Sequence, residues 1–474
     1  MRPSFFIPHF SFFILLALAL CGCESLVNAQ LAQDALKDRS QDDNVKPQAE
    51  YLDLTKYTLP ELVDFAATNR PSMVQAYLEV ESARLAMKSI AADAPVISST
   101  PWNAASVDVG LNYGEQSTPK HSLKSSTRQS SPSASLSLDL LIWDWGRNDY
   151  AAKAQAERIV AQELALIDEG YSVFEDVTLT FLDLLTADAN LEIAHTNVVL
   201  NAVLYDRAQR RFNAGEVNQL AVIQAKKSKV QAEEKLIEAA NAGHTASSEL
   251  VKAMGLDASR AGRDDIINIE HSPLTHADPL FPATTITLQE AYDFALTNAP
   301  SILIAKAKLR AASHEVDVAK ADLMPKLSMS GSINWTDPLW YWSWAANLTQ
   351  NLFAGFRNTT ALDQAVNDMQ LAAVNLDEAE QQLSRDLAIA IANRDDARAA
   401  SVSAAATLDA ARENYETVCK QYEVGSADYL DYNDAANTLV EALGTVVSAF
   451  YIEQKEEASL YRLMGKYPVY LKQE

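Results

Sequence analysis

Two stretches of 66 residues set the scale of any fold this chain can adopt. Arg147 to Phe212 holds no proline and one glycine, Gly170, while Arg357 to Tyr422 holds neither. In the first, Phe174, Val177, Phe181, Leu184 and Leu191 recur at alternating steps of three and four, and Asp188 is the one polar step. In the second, the stripe includes Leu376, Leu383, Leu387 and Ala390. This is the seam of a left-handed coiled coil. A continuous helix of that length is about 100 Å long, more than an ordinary globular domain holds. Two matched rods also signal a duplication inside the chain.

The duplication extends beyond the rods. Thr58-Leu59-Pro60-Glu61 and Thr287-Leu288-Gln289-Glu290 each open a short helix, 229 residues apart. Asn69-Arg70-Pro71-Ser72 and Asn298-Ala299-Pro300-Ser301 keep that offset and start a second helix. At the rods the offset is 210: Trp143-Asp144-Trp145-Gly146-Arg147 matches Phe353-Ala354-Gly355-Phe356-Arg357. The difference of 19 fits the stretch from Gly114 to Ser133, which reads as a hairpin loop in the first repeat alone. Its Lys120, His121, Lys124 and Arg128 suit a solvated exterior loop. Each rod ends at a glycine, Gly215 or Gly425, where a left-handed cap lets a second long helix return.

Between the helices the apolar period changes to two. Val107, Val109, Leu111 and Tyr113 alternate with polar or small residues, as do Ala134, Leu136, Leu138 and Leu140. So do Leu327, Met329, Gly331, Ile333 and Trp335, then Trp342, Trp344, Ala346 and Leu348. These are four strands of about nine residues, each apolar on one face. Amphipathic hairpins could cover a soluble core, but the tryptophans argue against it. All seven lie in or beside the hairpins: Trp102, Trp143, Trp145, Trp335, Trp340, Trp342 and Trp344. Tryptophan beside such strands is what the aromatic girdle of an outer-membrane barrel looks like. Four strands leave open edges, which lipid does not tolerate, so several copies must share one barrel. Eight strands as a dimer or twelve as a trimer both satisfy this. The helical wall favours the trimer, because eight helices enclose little space.

The amino terminus carries an export signal. Arg2 precedes an apolar run from Phe12 to Leu20, too short to span a bilayer, followed by Leu20-Cys21-Gly22-Cys23-Glu24. This resembles the lipobox of bacterial lipoproteins, with acylation at Cys23. Ordinary cleavage after Ala29 is the alternative reading. Glu24 after the cysteine implies, by resemblance to enterobacterial lipoproteins, sorting to the outer membrane. Cys419 is the only other cysteine apart from Cys21 and Cys23, so export proceeds without disulfides. The chain parses as a signal over 1–22, an acylated tether over 23–56 and a first repeat over 57–255. That repeat has strands at about 104–142 and long helices over 147–254. A linker over 256–285, a second repeat over 286–465 and a tail over 466–474 follow, with strands of the second repeat at about 326–352 and its long helices over 357–464.

In this order of elements, and in Tyr415, Tyr422-Glu423-Val424-Gly425, Tyr429-Leu430 and Asp434-Ala435, the sequence resembles the outer-membrane efflux proteins, the TolC-like channels, over nearly all of the mature chain. The resemblance implies an α+β membrane protein: a homotrimer with a twelve-stranded β-barrel and a periplasmic α-helical tunnel. It implies a periplasmic adaptor and an inner-membrane transporter as partners, outer-membrane lipid around the barrel, and export of small molecules or metal ions. A type I protein-secretion channel uses the same fold, and an acylated periplasmic coiled-coil scaffold would keep the rods without the strands. Asp428, Asp431 and Asp434 follow Gly425 at steps of three, one ridge on a helix. The helix dipole accounts well for Asp428 and less well for the other two. The resemblance places Asp431 and Asp434 where family members close the periplasmic entrance with acidic rings, and Asn433 stands where leucine is often found.

No catalytic constellation is present, and no cofactor or metal site is expected. The histidines outside the signal, His121, His195, His244, His271, His276 and His314, are scattered. No glycine loop cradles phosphate, so energy must come from a partner. A formal net charge of −24 argues against nucleic acid.

Overall fold

The computed structural model describes residues 58–92, 105–118, 127–256, 279–282, 285–336, 339–350 and 355–466. The expected signal, the acylation site Cys23, the tether, Trp102 and Lys120, His121 and Lys124 lie outside the described residues, with most of the linker and the tail. In order the elements are α1 (Leu59–Asn69), α2 (Pro71–Ala92), β1 (Ala105–Thr118), β2 (Thr127–Trp143), α3 (Arg147–Asn213) and α4 (Gln219–Ala253). The second repeat gives α5 (Leu288–Asn298), α6 (Pro300–Ala321), β3 (Lys326–Thr336), β4 (Leu339–Thr349), α7 (Arg357–Glu423) and α8 (Tyr429–Leu463). The rods α3 and α7 are both 67 residues long.

The chain divides into two units. One comprises Ala76–Leu166 and Pro300–Gln381 and holds the strands. They form a single antiparallel sheet in the order β1-β2-β3-β4, so the two repeats meet at β2 and β3 while β1 and β4 are its edges. The expected loop from Gly114 to Ser133 is mostly strand: Gly114 pairs with Ser131 and Thr118 with Thr127. β1 and β2 are therefore 14 and 17 residues long rather than about nine. A ladder already in register continues through polar residues that do not break it.

Helices of this unit pack on α3 from two sides. Gln155 of α3 donates to the Ala83 carbonyl of α2 at 2.8 Å, and Arg84 pairs with Glu163 at 2.7 Å. From α6, Arg310 pairs with Glu157 at 2.8 Å and Glu315 with Arg158, and Asp322, just past its end, accepts from Arg147 at 2.7 Å.

The other unit comprises Met1–Gln75, Ile167–Ala299 and Gln382–Glu474. The apolar stripe of α3 buries Phe174, Val177 and Leu184, whereas Leu182 rather than Phe181 is fully enclosed, because an α-helix drifts against a strict seven-residue repeat. In α7 the buried positions Leu383, Ala390, Ala397, Ala404 and Ala411 fall seven apart. Ala435, Ala442 and Ala449 do the same in α8. A wholly buried Glu457 of α8 accepts from Arg398 of α7 at 2.9 Å. The two repeats also end alike. Gly465, at φ +64, closes α8 so near α5 that a Cβ there would lie 2.5 Å from the Asn298 carbonyl oxygen.

Candidate functional site

Two regions carry the sequence-derived site residues. The first is the sheet. Residues opposite one another in antiparallel strands share a face. Leu136 opposes Ile333, Ile333 opposes Trp342, and Gly331 opposes Trp344. Trp335 opposes Trp340, their rings 6.1 Å apart. This face is apolar across the sheet and unburied: Trp340, Trp342 and Trp344 are 70%, 73% and 65% exposed. The other face is hydroxyl and amide. Ser332 and Ser343 bond at 2.9 Å, Asn334 donates to Ser332 at 3.0 Å and Asn347 to Ser330 at 3.2 Å.

The six tryptophans occupy three places. Trp335 and Trp340 flank the β3–β4 turn, while Trp143 and Trp145 lie at the opposite end, edge to face at 6.2 Å. Trp342 and Trp344 stand within β4, away from its ends. Trp145 and Phe356, where strand passes to rod, both take positive φ, 59° and 63°. Asp144 supports the first junction by accepting from the N–H groups of Gly146 and Asn148 at 3.1 and 3.0 Å, and Trp145 Nε1 donates to the Pro325 carbonyl at 2.6 Å.

The second region is the pair of helical hairpin tips. Gly215 (φ +77) and Gly425 (φ +78) end α3 and α7 in the same way. Glu216 N–H reaches back to the Arg211 carbonyl and Ser426 N–H to that of Gln421, at 2.9 and 2.8 Å, the Schellman arrangement. Each return helix is then capped in register: Asn218 accepts from Ala221 N–H at 3.1 Å, and Asp428 from Asp431 N–H at 2.9 Å. Asp428 therefore precedes the helix instead of sharing a ridge on it. Asp431 is the third helical residue, and its carboxylate accepts from the Asp428 N–H at 3.1 Å, completing a capping box. This local role explains Asp431 better than its distance from Gly425 suggested. Asp434, one turn further in, is exposed like the other two.

Behind the acids lies a tyrosine core. Tyr422, Tyr429 and Tyr432 are buried with Leu204, Ala208 and Ala225, so the first hairpin packs on the second. Tyr415 and Tyr432 share a hydroxyl hydrogen bond at 2.8 Å, and the Tyr422 and Tyr432 rings are 5.0 Å apart. Burial, then the Tyr415 bond, pushes the Tyr432 hydroxyl pKa well up, and burial raises Tyr429. Arg211 of α3 stacks over the Tyr422 ring at 5.1 Å and donates to Glu216 at 3.0 Å. Bonding to Tyr422 first, and to Glu216 second, raises its pKa. Asn433 accepts from the Tyr429 hydroxyl at 3.4 Å, which gives the amide a use where leucine has none. Arg211 and Tyr432 were not singled out by sequence. The one signal was the recurrence of Tyr415, Tyr422 and Tyr429 every seven residues.

Comparison with known proteins agrees with this architecture. The family model for outer membrane efflux protein matches residues 62–256 and 291–466. The chain belongs to the outer membrane efflux protein family, and its place is the cell outer membrane. It is 26% identical over 182 residues to the cation efflux system protein CusC of Escherichia coli O6:H1, covering 36% of this chain and 39% of that protein. The match thus spans about two fifths of the length of that relative. Outer membrane protein OprJ of Pseudomonas aeruginosa is 24% identical over 388 residues, 80% of this chain and 77% of OprJ. The fold matches a crystal structure of CusC with a TM-score of 0.74 at 19% identity, over 88% of this chain and 93% of that one.

Proposed function

We propose that three copies of this chain form the outer-membrane channel of a tripartite efflux system, a passive conduit for small molecules or metal ions. The observation that carries this reading is the sheet: one face is apolar and uncovered, the other is hydroxyl-lined, and both edges are open. A sheet of that kind is stable in lipid only as part of a closed barrel. Twelve strands from three copies close it, with the apolar face toward outer-membrane lipid and the tryptophans at its ends at the interfaces. The hairpin tips form the periplasmic entrance, where an adaptor and an inner-membrane transporter engage and supply the energy. Asp431 and Asp434 ring that entrance, and Arg211 with the tyrosine core holds it narrow. Cys23 carries the lipid anchor, which mass spectrometry of the mature amino terminus tests. The experiment for the channel itself is native mass spectrometry of detergent-extracted protein with planar-bilayer recording. The expected result is a trimer with ohmic, cation-preferring conductance. A monomer with intact strand content and no conductance would overturn it.

A further inference from the structure

At the foot of the sheet the two repeats enclose a recess of about 690 Å³, a size usual for small-molecule sites. All of its wall belongs to the unit that holds the strands. Lys326 and Thr349, at the bases of β3 and β4, close one end of it. They oppose one another in the sheet, and alternation places them with Ser328, Ser330, Ser343 and Asn347 on the hydroxyl face. That face points into the lumen in the channel reading, on which this inference rests.

Six charged side chains line the recess, and four of them are already matched. Asp322 accepts from Arg147 at 2.7 Å and from Lys326 at 3.0 Å, and Arg158 bridges to Glu315. The other two, Arg357 and Asp368, are exposed and have no ion-pair partner among the described residues. Both stand on α7. Ala361 and Gln364 lie between them, and steps of four, three and four keep all four on one side of the helix. Eleven positions separate the cation from the anion, about 16 Å along the axis. The floor between them is small and apolar: Ala361 and Ala365 of α7, Ala151 and Ala154 of α3, and Val318 and Ala319 of α6.

This layout selects by the placing of charge. A simple anion drawn to Arg357 leaves Asp368 unmet, a simple cation does the reverse, and an uncharged chain meets neither. A slim chain with a carboxylate at one end and an ammonium at the other meets both. Five extended residues of a peptide span about 17 Å, which matches the separation. α7 begins at Arg357, so its dipole also favours the carboxylate at that end. Gln364, midway, offers an amide to a peptide bond, a group that an alkyl chain lacks.

We infer that each copy holds in its lumen a site for a short zwitterionic peptide of small residues. The peptide's carboxylate lies on Arg357, its middle beside Gln364 and its ammonium on Asp368.

Saturation-transfer NMR titration of the full-length, detergent-extracted trimer with penta-alanine tests this, beside the amino-acetylated and the carboxy-amidated peptide. Blocking either end should weaken binding about two- to fivefold, the range of an exposed ion pair. Asp368→Asn should weaken penta-alanine and the amide by that factor and leave the acetylated peptide unchanged. Arg357→Gln should weaken penta-alanine and the acetylated peptide and leave the amide unchanged. Both side chains are exposed, so neither variant threatens the fold. Equal binding of the three peptides, or variants that act on all three alike, would overturn the site. So would an absence of saturation transfer to penta-alanine in a trimer that conducts in planar bilayers, and this would leave the channel reading standing. A parent protein that binds in the expected pattern but neither trimerises nor conducts would overturn the channel reading and, with it, the luminal placing of the recess.

Discussion

Arg211 joins the two hairpin tips across their tyrosine core. Its guanidinium lies 5.1 Å from the centre of the Tyr422 ring and is oriented from behind by Glu216 at 3.0 Å. Of these two contacts of Arg211, that with Tyr422 links α3 to α7, while the Glu216 bond stays within its own tip. A cation over an aromatic face in a half-exposed place contributes about 0.5–1 kcal/mol. Arg211→Ala should therefore weaken the clasp by about 0.5–1 kcal/mol per chain, or roughly 2- to 5-fold in the ratio of closed to open tips. Arg211→Lys keeps the charge but loses the flat stack, so its effect should be about half. Tyr422→Leu should match Arg211→Ala, and the double variant should fall well short of the sum, since both remove one contact. Planar-bilayer recording of open-state occupancy reads this directly. If Arg211→Ala and Tyr422→Leu both conduct like the parent, or if their effects simply add, the clasp does not hold the tips and the reasoning fails.

Asp431→Ala with Asp434→Ala should weaken cation preference and block by multivalent cations severalfold without dissociating the trimer; unchanged reversal potentials would return both acids to a purely capping or solvated role. Gly465→Ala puts a Cβ 2.5 Å from the Asn298 carbonyl at a left-handed φ, so it should cost about 2–4 kcal/mol, visible as a lower trimer melting temperature, while Gly215→Ala, with open space around it, should cost about 1 kcal/mol. Burial raises the Tyr171 hydroxyl to about 12, above its ordinary value of 10.0. The unfolded chain then releases that proton first, so stability is full below pH 10 and is lost progressively as pH rises towards 12. Tyrosinate absorbance should lag behind that of free tyrosine over this range, and Tyr171→Phe should flatten the loss. Asp168, raised by burial despite the opposing Arg462, is strained by its charge at neutral pH. Asp168→Asn should stabilise the protein at pH 7, and the gain should shrink as the pH falls and the carboxyl takes up its proton.

The rods and strands were legible because their periods are properties of the backbone: side chains three and four apart share a helix face, and those two apart share a strand face. The extension of β1 and β2 was not, because Gly114–Thr118 carries no apolar alternation and its pairing depends on a ladder begun elsewhere. The acids after Gly425 were found, but the capping box between Asp428 and Asp431 depends on where the helix begins, which spacing alone does not fix. Arg211 lies 211 positions from Tyr422, and no local pattern connects a cation to a ring in another repeat.

The alanines spaced seven apart in α7 and α8 bear on stiffness. Alanine has no side-chain torsion to freeze and no branch to interlock, so such a seam resists separation of the helices more than it resists sliding along them. The tyrosines at the tips are the reverse: large rings and shared hydroxyls admit few relative positions. The alanine stretches therefore hold their register weakly by shape, and the pair of Arg398 with buried Glu457 fixes α7 against α8 along the axis. The tyrosine tip is a second fixed point, so axial shifts are resisted at two places rather than along the whole length.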